Sequence, residues 1–353
     1  MVFWAILVAL CVGAVTIFLT TARTAPSPSE GARRYLLFAT PFPTVMDLAT
    51  GKILEEIPSP DGTLTEYATF ARDTAPGTYL AVTVERPPGY DPRQSPRGAK
   101  STIHRLTMDA QGVVKVQGTA SGEIEGVIRS LAVSPAGEIA YARTTADKKD
   151  NLLSFAGVLG TTSEWPVEDP YRLYWSDENT LVFPSRAEPP WTLRTKENGE
   201  RFIAGGGFLP TREVRTGAAG KLPVPPDLTS YGMVQLPDRR MIWATASPDD
   251  SDIMSLVLYD GPTSIGTVYQ PPRGKIVSMT LDPTGSHLLV GHEIARSTGT
   301  GMDDFTHDQK LIRIDLRQAT GLTTPATSTR RDLAFPQQVV WQGNDLALEE
   351  IAW

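Results

Sequence analysis

The chain has 353 residues, among them 30 Gly, 29 Pro, four His and one Cys, with a formal net charge of −7. One cysteine excludes a disulfide framework and any Cys-rich zinc or iron–sulfur site. The acidic balance, with no Lys/Arg run longer than two residues, argues against nucleic acid as a partner, because phosphate neutralisation needs a basic patch.

Residues 2–22 carry no charge, and sixteen of the eighteen positions from Val2 to Leu19 are apolar. At about 1.5 Å per residue, such a helix nearly crosses a hydrocarbon layer of about 30 Å. We expect residues 1–22 to form a transmembrane helix or signal anchor and residues 23–32, with Pro26, Ser27, Pro28 and Ser29, to form a linker. No Lys or Arg precedes the run, as a secretory signal would require. Arg23, Arg33 and Arg34 follow it, which by the positive-inside rule favours a cytoplasmic body. The fold class read below is common outside the cytoplasmic membrane, so the expected address is a single-pass anchor with an extracytoplasmic body. Cleavage after Ala22 is the alternative to an anchor. Cys11 is a poor lipidation site, because Leu10 is larger than the residue a lipobox places there.

From residue 33 onward no helical stripe of eleven or more residues occurs. Short runs rich in Val, Ile, Leu, Tyr and Trp recur instead between Gly, Pro, Asp and Asn turns. One unit reads strand, tight turn, strand: 128–133, the turn Ser134-Pro135-Ala136-Gly137, then 138–142. It returns at 276–281, Asp282-Pro283-Thr284-Gly285, 286–290. Pro at the first central turn position and Gly after it suit a type I turn followed by a left-handed residue. Looser copies span 70–84, 172–183, 233–243 and 339–348. A second unit has a strand ending in an acid, a Gly-containing turn and another strand, as at 45–54, 103–113, 256–261 and 311–322; residues 151–165 and 191–224 hold ragged versions.

With Gly77, Gly137, Asn179, Asp238, Gly285 and Asn344 as turn markers, the intervals are 60, 42, 59, 47 and 59 residues. A period near 50 with four short strands is the mark of a propeller blade, which cannot bury its two apolar faces alone and must stack radially. The expected fold is all-β: a six-bladed β-propeller over 33–353. The opening unit (35–57) is of the outer kind and the last (338–352) of the inner kind, so the two chain ends should share one blade. A seventh blade within 184–230 is the competing count.

The Ser/Asp-Pro-x-Gly turns at 134–137 and 282–285, together with Asp47-Leu48-Ala49-Thr50-Gly51-Lys52, resemble the repeats of divergent WD40-like and TolB-like propellers with an N-terminal membrane anchor, of the actinobacterial type. No Gly-His opener or Trp-Asp ending recurs. The resemblance covers residues 33–353 and implies shape, with no named partner; such propellers are mostly binding platforms, and some are enzymes.

No Gly-x-Ser-x-Gly or Walker motif is present. His292-Glu293-Ile294-Ala295-Arg296 falls short of the zincin pattern, with arginine in place of the second histidine and a strand in place of a helix. The best candidate for a metal is the loop 299–308, where Asp303, Asp304, His307 and Asp308 would offer hard ligands for calcium, magnesium or manganese; a solvated acidic loop is the plain reading. His104 and His287 are expected to be structural. Trp175, Trp243 and Trp341 are expected to pack between blades, with sugar stacking as the alternative. Loops 86–100, 203–212 and 296–308, the second containing Gly205-Gly206-Gly207-Phe208, should build a recognition face.

The functional expectation is a non-enzymatic, membrane-tethered propeller that binds a protein or peptide as a scaffold or sensor, without a cofactor or catalytic residues. Its partners would be the membrane, through residues 2–22, and a protein or peptide. The alternative is a carbohydrate-active or metal-dependent hydrolase or lyase whose site is assembled from several blades.

Overall fold

In the computed structural model, the described residues are 34–38, 43–57, 65–87, 96–147, 149, 151–161, 163–170, 172–185, 192–195, 201–204, 207–224, 230–246, 254–297, 305–319, 322, 332–344, 346, 348 and 351–353. Both the apolar run 2–22 and the linker 23–32 lie outside them. Among the described residues no helix is long and apolar enough to cross a membrane.

The chain forms a six-bladed β-propeller. Blade 1 begins with β1 (Tyr35–Phe38), β2 (Thr44–Asp47) and β3 (Lys52–Glu56). Blade 2 follows as β4 (Thr65–Arg72), β5 (Thr78–Glu85), β6 (Lys100–Met108) and β7 (Val114–Thr119), with short β8 (Ile124–Glu125) also on β6. Blade 3 is β9 (Val127–Val133), β10 (Ile139–Ala146), β11 (Leu152–Val158) and β12 (Glu164–Pro166). In blade 4 a separate hairpin, β15 (Thr192–Thr195) and β16 (Arg201–Ala204), is inserted between β14 (Thr180–Val182) and β17 (Phe208–Glu213). That blade's inner strand is β13 (Tyr174–Trp175) and its outer strand β18 (Ala219–Pro223). Blade 5 is β19 (Ser230–Gln235), β20 (Met241–Ala246), β21 (Met254–Asp260) and β22 (Thr263–Tyr269). Blade 6 is β23 (Lys275–Leu281), β24 (His287–Ser297), β25 (Phe305–Asp315) and β26 (Gln337–Gly343). Last comes β27 (Ile351–Ala352), which pairs antiparallel with β1, Leu37 opposite Ala352 and Phe38 opposite Ile351.

One expectation is corrected here, and the competing blade count falls. Residues 339–348 are not an inner strand pair: β26 is the outer strand of blade 6, hydrogen-bonded to β25, and Trp341 sits on that outer strand. Blade 1 therefore takes three strands from the amino end and one from the carboxyl end. Residues 184–230 hold no seventh blade among the described residues. They hold the inserted hairpin and the outer half of blade 4.

The core is not one mass. Among the described residues six hydrophobic clusters form, one between each pair of neighbouring blades. Tyr35, Leu37, Tyr79 and Leu106 join blades 1 and 2; Leu80, Ile103, Ile128 and Tyr141 join 2 and 3. Ala142, Val158, Trp175 and Leu181 join 3 and 4, and Leu209, Met233, Trp243 and Tyr259 join 4 and 5. Leu258, Ile265, Leu288 and Ile312 join 5 and 6, while Leu289, Leu311, Leu36, Phe38 and Trp353 join 6 and 1. Middle strands are thus covered on both faces, and Leu80-Ala81-Val82 or Leu256-Val257-Leu258 are buried without interruption. Outer strands face water, as β7 shows along nearly its whole length.

The first turn of a blade is built by local chemistry. Gly77, Gly137 and Gly285 take φ of +70°, +87° and +67°, the left-handed region that glycine enters without steric cost. In blade 5 the same place, after Leu236 and before β20, is held by Arg239 at φ +70°. The strand-ending acids explain the second kind of turn. Asp47 Oδ1 accepts the Ala49 N–H at 2.9 Å, and Asp109 Oδ1 accepts from Gln111 and Val113 at 2.9 Å each. Asp47 also carries Arg34 in a two-pronged pair at 3.0 and 2.7 Å, which holds its carboxyl below the usual carboxylate range.

Candidate functional site

The inner strands surround a cavity of about 1060 Å³ that opens on the face carrying the first turns. Five blades contribute: Arg72–Thr74, Leu131–Pro135, Leu173–Asn179, Met233–Pro237 with Arg239, and Met279–Pro283 with Gly285. Below it, Arg172 reaches from blade 4 across to blade 6, where Nη2 donates to the Val277 carbonyl at 3.2 Å. The walls are apolar and the mouth is polar.

Most acids at the mouth are committed to their turns. Asp73 accepts the Thr74 N–H at 2.7 Å through Oδ1 and pairs with Arg105 at 3.0 Å through Oδ2. Asp282 accepts the His287 N–H at 3.0 Å and the Thr284 hydroxyl at 2.8 Å. Asp177 accepts from Asn179 and Thr180, 2.8 Å each, and Ser134 Oγ accepts the Glu138 N–H at 3.0 Å. Asp177 and Glu178 remain exposed at the rim.

The two arginines differ from these acids. Among the described residues, neither the Arg72 nor the Arg239 guanidinium makes a hydrogen bond or ion pair, although both line the cavity. Arg72 is half-buried at the end of β4. Burial pulls its pKa below the usual arginine value, and the proximity of Tyr79 and Asp282 works against that pull. A guanidinium is rarely desolvated without a partner, because its five donors then go unmet.

Of the residues singled out as metal candidates, Asp303 and Asp304 lie outside the described residues. His307 and Asp308 are neighbours on β25, so their side chains leave opposite faces of the sheet. His307 Nδ1 lies 2.6 Å from Glu293 Oε1, and Gln309 Nε2 donates to Glu293 Oε2 at 3.0 Å. Among the described residues no three His, Cys, Asp or Glu side chains gather to hold a metal. His292 and Glu293 sit on a strand and likewise face opposite ways. His104 is buried against Thr83, 2.8 Å from Nε2 to Oγ1. Trp175 donates from Nε1 to the Ala132 carbonyl at 3.2 Å, tying blade 4 to blade 3. Much of the three expected recognition loops falls outside the described residues. Phe208, at 51% exposure with Lys221 Nζ 5.3 Å above its ring, is one part that does not.

Neither a protein-family signature nor a curated protein matches the chain. Solved structures do. A protein of unknown function from Bacteroides caccae is 12% identical, with 90% of this chain and 97% of that chain covered and a TM-score of 0.44. A TolB assignment from Agrobacterium tumefaciens is 10% identical over 88% of both chains, TM-score 0.45. A Mycobacterium tuberculosis puromycin-hydrolyzing peptidase is 14% identical, TM-score 0.45; the match takes in 88% of this chain and 44% of the peptidase. Likenesses this distant say nothing about activity.

Sequence reasoning missed Arg72 and Arg239. The one signal that could have found Arg239 is its place in the turn series, where three other blades carry glycine.

Proposed function

We propose that the chain works through the central pocket, as a site assembled from several blades that holds a small acidic carbohydrate. The observation that carries this reading is a pair of guanidinium groups on one concave space, the half-buried Arg72 from blade 2 and the exposed Arg239 from blade 5, neither with a hydrogen bond or ion pair among the described residues. A planar guanidinium matches a carboxylate with two parallel hydrogen bonds. At the rim, the exposed carboxylates of Asp177 and Glu178 would accept from sugar hydroxyls. The volume is just above the about 300–1,000 Å³ typical of small-molecule sites. This is the arrangement a multi-blade hydrolase or lyase requires, and a concave site with converging polar groups suits it better than a flat docking face.

The test is calorimetric titration with glucuronate and with short uronic-acid oligomers. Arg72→Met should lower affinity by about tenfold or more, as loss of a charged hydrogen-bonding partner does. Wild-type protein that takes up neither ligand sinks the reading. Turnover is read separately, by following new reducing ends or unsaturated products in the same mixtures.

The second reading is docking of a protein or peptide, whose terminal carboxylate would meet the same guanidinium groups. Pull-down with the 33–353 fragment from a membrane extract separates it from the first. In both readings residues 1–22 anchor the ring to the cell membrane with the propeller outside the cytoplasm. A reporter fused after Trp353 that is active only in the cytoplasm would reverse that placement. We also take the β1–β27 pair as the clasp that keeps the ring shut.

A further inference from the structure

Eight large apolar side chains are exposed among the described residues. Four of them, Ile53, Leu54, Val113 and Val116, lie on or just before β3 and β7, the outermost strands of the neighbouring blades 1 and 2. A slip in register puts two of them together. Val45 faces Glu55 and Met46 faces Ile53, so Leu54 is the extra residue of a bulge. Two consecutive apolar side chains thus stay exposed, where strict alternation would turn one inward. On β7, Val114 joins the cluster between blades 1 and 2, and Val116 leaves the same face two residues on. Leu54 reaches that seam from blade 1: a Cβ on Gly112 would stand 3.0 Å from its Cδ1. The four side chains gather at the outer end of one interblade seam.

The patch sits at one end of its strands. Ile53 and Leu54 follow the turn 48–51, and Val113 closes the turn 109–113, where its carbonyl accepts the Asp109 N–H at 3.1 Å. The first turn of blade 2 is on the same face, since the Met108 N–H donates to the Gly77 carbonyl at 2.8 Å. The central pocket opens on this face too. Acids are placed away from the patch or are committed. Glu55 and Glu56 come last on β3, toward the opposite face, and Asp109 Oδ1 accepts from Gln111 and Val113 within its own turn. Lys52 and Lys115 are exposed beside the apolar side chains.

The chain also enters the ring here. Arg34 precedes β1, and Tyr35 Oη donates at 3.2 Å to the carbonyl of Ala110, in the turn that ends at Val113. The eleven residues 23–33 span at most about 40 Å even when fully extended. The uncharged run 2–22 is therefore tethered within that distance of the patch.

We propose that the outer rim of blades 1 and 2 rests on the lipid bilayer, with Ile53, Leu54, Val113 and Val116 entering its interfacial layer. The proposal rests on the reading that residues 1–22 are the membrane anchor. Tether and patch then act together: the anchor holds the rim over lipid at high local concentration, so a small apolar contact suffices. Lys52 and Lys115 lay their stems over the apolar surface and reach headgroup phosphates. The ring is tilted by this contact, and the mouth of the central pocket turns toward the bilayer.

The experiment uses the full chain carrying Cys11→Ala, so that one introduced cysteine is the only thiol to label. Val113→Cys and Ile53→Cys each place an environment-sensitive fluorophore on the rim. Leu152→Cys places it on the opposite face, at the end of blade 3 away from the Gly137 turn. Each chain is reconstituted into phosphatidylcholine vesicles containing phosphatidylcholine spin-labelled near the headgroup. Emission from the rim labels should shift to shorter wavelength and be quenched by the spin label. The label at position 152 should answer only to iodide in the water. Flotation on a density gradient reads the anchor separately. Chain that floats with the vesicles while its rim labels stay unquenched overturns the proposal and leaves the anchor standing; chain that does not float overturns both. Rim labels reached by neither quencher mean cover by a second copy or by residues 2–22, and overturn the proposal, as does equal lipid quenching at all three positions. The two rim positions are read independently, so the test stands even if one variant fails to fold.

Discussion

Arg239 is the residue at which folding and binding pull apart most clearly. A left-handed backbone costs a non-glycine residue about 1–2 kcal/mol, and three sister turns avoid the cost with glycine. Its side chain lines the central pocket with no partner among the described residues. Replacing it by glycine relieves the strain and removes a cation together. Arg239→Gly should therefore raise stability by about 1 kcal/mol in urea unfolding while weakening uptake of an acidic ligand. A variant that is no more stable than wild type would show that the turn carries no strain worth relieving. Such residues are found by comparing turns within one chain: the marker falls on Asp238 when the series is read by sequence spacing, one residue before the left-handed position.

At the scale of the element, blade 3 shows how strands are tied across a neighbour. Tyr141 Oη and Arg143 Nε on β10 both donate to Glu164 Oε1 on β12, at 2.8 and 2.7 Å. The strand between them, β11, has Gly157 beneath the contact, where a Cβ would stand 2.9 Å from the Tyr141 ring and 3.1 Å from Glu164. Gly157→Ala should thus cost about 1–3 kcal/mol by overpacking, measured by thermal melting. The carboxyl of Glu164 is held below its ordinary 4.5, first by the hydrogen bond from Arg143. A depressed acid lends stability that is complete above about pH 4.5 and is lost as pH falls through its folded value. Glu164→Gln should flatten the acid limb of the stability–pH curve, and an unchanged limb would count against this coupling.

Much of the element scale was legible beforehand. Ser134-Pro135-Ala136-Gly137 and Asp282-Pro283-Thr284-Gly285 fall between β9 and β10 and between β23 and β24, because turn chemistry is local. The misreading of 339–348 has a physical reason too. Gly343 ends β26 as a hairpin turn would, but the chain then crosses to another blade and pairs for only two residues. A strand of two residues leaves no periodicity to read. The central pocket was illegible for the opposite reason: its lining is scattered from residue 72 to residue 285 and converges only when the ring forms.

At the scale of the whole molecule, stability is divided among the interblade clusters, and at the junction of blades 6 and 1 the strand β27 and Trp353 lie against β1. Trp353, 2% exposed, packs there with Leu36, Phe38, Leu289 and Leu311. Trp353→Ala should cost about 3–5 kcal/mol, and calorimetry should show that loss as a lower melting temperature. A shift of only a degree or so would mean that the ring holds without this side chain.

The hydrogen bond from Arg172 to Val277 gives the ring an unequal mechanical character. It links blades 4 and 6 directly, so it acts as a tie rod across one arc of a hoop. An outward load on that arc is shared between the rod and two interblade seams, whereas the seam beside β27 is backed by a two-residue splice. Stress should concentrate at the splice, and first yielding under a pull on the two ends should spread from there toward blades 2 and 3, leaving the braced arc of blades 4 to 6 as the last part to separate.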